Sequence, residues 1–177
     1  MTCHFRALFA LVFVFLAGHA LAGGEERIYF TQEQFLAEAF ADKPPAGKVL
    51  WLTNELQQEV TRIAGHAPYQ MRYRYWSDAV RSAWILEEIG KEEFITAGFV
   101  VVDGKIELSR VLTYRESRGF EISHTAWLAR LRGIAPNASF AMDRRIDNIA
   151  GATLSVNAMD RMMRLALLFD RTAHAKK

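Results

Sequence analysis

The dipeptide Asp103-Gly104 constrains this chain more than any other pair of residues. It stands between two runs rich in β-branched and aromatic residues, 96–102 and 105–114. A two-residue type I′ turn needs φ > 0 at both central positions, which Asp-Gly tolerates, so the pair predicts a tight antiparallel hairpin. Upstream, YQMRYRYW alternates from Tyr69, with Met71, Tyr73 and Tyr75 on one side and Arg72, Arg74 and Trp76 on the other. Ser77-Asp78 is a turn signal and 80–88 the return strand. Four consecutive antiparallel strands suffice for a self-supporting sheet.

Helical periodicity flanks this strand region. Thr31-Gln-Glu-Gln34 has the form of a capping box ahead of Phe35, Leu36, Ala39 and Phe40, and Pro44-Pro45 ends that helix. A short strand at 49–52 precedes a second helix, capped by Thr53 or Asn54 and running to Gly65. Beyond the sheet, 120–132 reads as one helix, with Phe120, His124, Trp127, Leu128 and Leu131 on one stripe and Gly133 as its stop. The last helix is expected from about Ser155 to Phe169, with Val156, Met159, Met162, Met163 and Ala166 facing inward. An antiparallel sheet of about four or more strands with helices at both ends of the chain is an α+β fold.

The first 22 residues differ from the rest. Arg6 is their only formal charge, an apolar run fills 7–18, and Ala20-Leu21-Ala22 follows. A basic start, a run short of the ~20 apolar residues of a membrane span and an A-x-A ending predict a secretory signal cleaved after Ala22, with a retained anchor as the alternative. Residues 23–177 are then a single exported domain, expected in the periplasm. Cleavage removes Cys3, the one cysteine, so neither a disulfide nor a cysteine-held zinc or iron–sulfur cluster is available. With 22 basic and 20 acidic residues the chain lacks the basic excess of a nucleic-acid partner. The mix of Tyr73, Arg74, Tyr75 and Trp76 is accordingly read as an amphipathic strand. Thioether ligands at Met159, Met162 and Met163 would suit Cu(I), but their helical spacing assigns them to the core, and no metal site is expected.

One segment carries a chemical signal. Asp147-Asn148-Ile149-Ala150-Gly151-Ala152-Thr153-Leu154-Ser155 is a small-residue turn running into a helix start. Gly151 and Ala152 let another molecule approach the backbone, and the N–H groups and positive dipole end of a helix suit a phosphate. The same residues also fit plain N-capping by Thr153 or Ser155 without any ligand. Likewise, Asp147 fits a local backbone cap.

The segment resembles the flavinylation motif of the FMN-binding domain family, which includes the C subunit of sodium-translocating NADH:quinone oxidoreductase and the G subunit of the Rnf complex. Asp147, Gly151, Ala152 and Thr153 match the pattern, and Ala150 replaces its usual hydroxyl residue. The hairpin at 100–119, ending in Glu116-Ser117-Arg118-Gly119, is similar to that family's central hairpin and turn. The resemblance is strongest over 69–169. It implies FMN joined through a phosphoester to Thr153 by a separate flavin transferase. It further implies contacts from Gly151, Ala152, Leu154, Ser155, Asp147 and Gly119, and from Glu116 with Arg118, for which a surface turn pair is the alternative. His124, on the apolar stripe, is a candidate flavin contact with a satisfied, partly buried histidine as the alternative. The implied role is electron transfer between a membrane-bound redox partner and another acceptor, with no catalytic residue of its own. The alternatives are a module binding FMN or another phosphate ligand non-covalently and a small flavin-dependent reductase, for which only Glu116 and His124 stand out as proton donors.

Overall fold

The computed structural model describes residues 26–137 and 141–175, so the expected signal segment, 1–22, lies outside the described residues. In chain order the elements are β1 (Arg27–Ile28), α1 (Gln32–Ala39), β2 (Gly47–Trp51), α2 (Asn54–Ala64), β3 (Arg72–Ser77), β4 (Arg81–Ile89), β5 (Phe94–Val102), β6 (Lys105–Tyr114), α3 (Thr125–Leu128) and α4 (Thr153–Ala175). The strands form one antiparallel sheet in the order β1-β6-β5-β4-β3-β2. Asp103 and Gly104 both adopt positive φ, +50° and +69°, as a type I′ turn requires. None of the described helices is long and apolar enough to cross a membrane.

Both faces of the sheet are covered, which explains why β4 and β5 are buried or half-buried almost throughout rather than alternating between buried and exposed. On one face α2 and α4 build the larger core, with Trp84, Phe99, Tyr114 and Phe169 at its centre. Met159, Met162 and Met163 are fully buried there and fill core space. On the other face α1 lays Phe35, Leu36, Ala39 and Phe40 against Trp76, Ala83, Val100 and Leu112. The capping box expected at the α1 start is formed, Gln34 N–H donating to Thr31 Oγ1 and Thr31 N–H to Gln34 Oε1.

Three features differ from the sequence reading. The sheet gains an edge strand, β1, which is too short to show any periodicity and pairs with Tyr114 and Thr113. The short strand expected at 49–52 is β2 and forms the other edge, pairing along β3 from Gly47↔Trp76 to Trp51↔Arg72. The single helix expected over 120–132 is instead a 3₁₀ turn (Phe120–Ser123), α3 and a second 3₁₀ turn (Ala129–Leu131). His124 interrupts it with an extended backbone, ψ 130°, while Ser123 Oγ donates to the Phe120 carbonyl and diverts that group from the helix ladder. Finally, α4 starts at Thr153 rather than Ser155 and runs to Ala175. It is tied to the end of β4 by Arg161, which donates to the Ile89 carbonyl at 2.9 Å and lies 3.4 Å from the buried Glu88 carboxylate.

Candidate functional site

At the end of the sheet where β6 leaves Tyr114, three segments converge: the β4–β5 turn at 90–93, the 115–119 loop and the start of α4. They enclose an open cavity of about 600 Å³ lined by Lys91, Glu116, Ser117, Arg118 and residues 151–155. That volume lies within the range of small-ligand sites.

The α4 start is built differently from an ordinary capped helix. Ala152 takes the cap position, its carbonyl accepting from Val156 N–H at 3.0 Å, and alanine has no side-chain acceptor to offer the first-turn N–H groups. Neither expected hydroxyl cap is used as one. Thr153 Oγ1 accepts from Asn148 Nδ2 at 3.0 Å, and buried Ser155 Oγ lies 2.9 Å from the Tyr114 hydroxyl. Tyr114 in turn donates to the Arg118 carbonyl. Burial pushes the Tyr114 phenol above its ordinary pKa, which keeps it a donor. The first-turn N–H groups belong to Thr153, Leu154 and Ser155, all of which line the cavity. Gly151 has φ +82°, and nothing would meet a Cβ built there, so the turn before the helix is open to close approach.

Glu116 is 6% exposed. Its Oε1 accepts from the backbone N–H groups of Lys91, Glu92 and Glu93, the latter two at 2.7 and 3.0 Å. It lines the cavity while holding the β4–β5 turn, and thereby keeps Lys91 on the cavity wall. The Lys91 ammonium pairs with exposed Glu92 at 2.7 Å, which raises its pKa and keeps it cationic. Arg118 adds a second cation and forms no ion pair among the described residues. Glu116→Ala leaves three N–H groups without their acceptor. It should cost about 1–3 kcal/mol in a urea titration, and Glu116→Gln, which keeps one acceptor oxygen, less than half of that.

Of the residues singled out from the sequence, Thr153, Leu154, Ser155, Gly151, Ala152 and Glu116 line this one cavity. Gly119 lies directly behind it, with a built Cβ 2.7 Å from Ser155 Oγ and 3.3 Å from Ala152 Cβ. Asp147 and His124 do not line it. Asp147 is exposed and pairs with Arg130 at 3.1 Å, while its carbonyl accepts from Trp127 Nε1. His124 is exposed beside the Phe120 ring. Lys91, Ser117 and Asn148 were not anticipated. Ser117 and Asn148 stand inside the quoted segments, but nothing in the spacing brings Lys91 to Thr153.

Comparison with protein families matches residues 90–168 to the FMN-binding domain. No curated protein and no solved structure gives a match. The matched stretch runs from the β4–β5 turn into α4 and contains every residue that lines the cavity. Residues 90–168 are thus similar to the FMN-binding domain family, a match that indicates FMN as the cofactor.

Proposed function

We propose that FMN occupies this cavity, esterified through its phosphate to Thr153, and that the chain is an exported electron-transfer protein between a membrane-bound oxidoreductase and a second acceptor. One observation carries the reading: an exposed threonine stands in the first turn of α4, which no side chain caps among the described residues, in a cavity whose wall holds the cations of Lys91 and Arg118. The helix N–H groups and these two cations suit a phosphate, and Gly151 leaves it room to approach. Bound FMN supplies the redox chemistry, and the chain's residues position and tune it. Asn148 orients the Thr153 hydroxyl but, being an amide, cannot take up its proton. Activation of that poor nucleophile therefore falls to a separate flavin transferase. Export rests on the N-terminal signal pattern, and the periplasm is the compartment it implies.

Ala150, where the family pattern has a hydroxyl residue, favours a second reading in which FMN is held without a covalent bond. Thr153→Val separates the two. Expressed with a flavin transferase, the variant should emerge colourless after denaturing gel separation and after desalting. A variant that retains tightly bound flavin through desalting contradicts the covalent proposal.

A further inference from the structure

We propose that β2 is a docking edge that accepts an extended acidic segment of a partner protein as a seventh strand. Among the described residues β2 pairs only with β3, so its outer side presents unpaired backbone groups. Gly47, Val49 and Trp51 alternate onto one face, in register with Trp76, Arg74 and Arg72 of β3. α1 covers the part of this face around Trp76, Ala83, Val100 and Leu112, whereas Val49 and Trp51 are 50% and 60% exposed.

The arginines lean from β3 over β2. The Arg74 guanidinium lies against Gly47, where a built Cβ would fall 2.6 Å from Nε, so the missing side chain makes its seat. The Arg72 guanidinium sits 5.8 Å from the centre of the Trp51 ring. Neither arginine forms an ion pair with a carboxylate among the described residues. Glu87 on β4 is engaged by the Thr96 hydroxyl. Two cationic heads therefore flank apolar Val49 along the open edge. A strand added there would meet them best with the pattern acidic–x–apolar–x–acidic on the facing side.

The charges select this occupant. A second copy joined edge to edge would bring two cationic fringes together, and a bilayer offers no backbone groups to complete the ladder. β2 is also the edge opposite β1, so a partner seated on it leaves the cavity beside β6 and α4 open. The proposal is independent of where FMN sits or how it is attached.

The test uses the purified protein and the peptide acetyl-Thr-Glu-Thr-Val-Thr-Glu-Thr-amide, with the same peptide carrying Lys for Glu as its counterpart. Amide hydrogen exchange and backbone chemical shifts are followed. The Glu peptide should slow exchange at 47–51 and shift those resonances, and the Lys peptide should bind about tenfold more weakly. In the Arg72→Glu/Arg74→Glu double variant, checked for an unchanged fold by circular dichroism, the preference should reverse, an outcome no merely structural role for the arginines produces. Equal binding of the two peptides or perturbation away from β2 overturns the proposal. So does a peptide-free dimer through the same amides. Protection of the edge by vesicles of phosphatidylethanolamine and phosphatidylglycerol, with no response to either peptide, overturns it in favour of a membrane surface.

Discussion

Gly119→Ala should destabilise the protein by roughly 2–5 kcal/mol and distort the cavity wall. Gly119 has φ +88°, a conformation that costs an L-residue about 1–2 kcal/mol. The added methyl would also lie 2.7 Å from Ser155 Oγ and 2.8 Å from the Tyr114 hydroxyl. Overpacking of that kind costs about 1–3 kcal/mol. It would strike the hydrogen bonds running from Ser155 through Tyr114 to the Arg118 carbonyl, which join the α4 start to the 115–119 loop. Gly151→Ala is the built-in comparison. Its φ is similar, +82°, but the space around it is open, so only the conformational cost of about 1–2 kcal/mol remains. Urea unfolding of both variants checks the difference. Equal losses would mean that the contact at Gly119 relaxes without cost.

Trp84→Ala should cost about 3–5 kcal/mol, the range for deleting a large buried aromatic. Trp84 is 0% exposed on β4 and stacks on Tyr75 with ring centres 4.5 Å apart. Its Nε1 donates to Ser82 Oγ at 2.7 Å, and Ser82 donates to buried Asp170 of α4 at 2.5 Å. The loss therefore combines a cavity with a disturbed polar link between sheet and helix. Trp84→Phe keeps much of the packing and breaks only the first of these hydrogen bonds. It should cost about 1–2 kcal/mol. The midpoint of urea unfolding at constant slope is the measurement, and a Trp84→Ala loss below that of Trp84→Phe would contradict the assignment of Trp84 to the core.

Local rules made much of the fold legible. Asp103-Gly104, the Thr31–Gln34 capping box and the methionine stripe each act over a few residues, and each is where periodicity and turn chemistry put it. Pairing across the chain was less so. β1 has two residues and no pattern, and the 120–132 helix breaks at His124 because a Ser123 side chain competes for the backbone. The same division runs through the site. The 151–155 segment announces itself by its small residues and hydroxyls. Lys91 reaches it only because buried Glu116, 25 residues further on, gathers the turn that carries it. The cap reading of Thr153 and Ser155 fails for a related reason: each hydroxyl has a partner that helix-start rules do not supply, Asn148 and Tyr114.

The intact mass of the protein, purified after expression together with a flavin transferase, tests the central claim most directly. The account predicts an added mass of one FMN less one water, mapped by fragmentation to the peptide holding Thr153. An unmodified mass, or an adduct on any other residue, would contradict it.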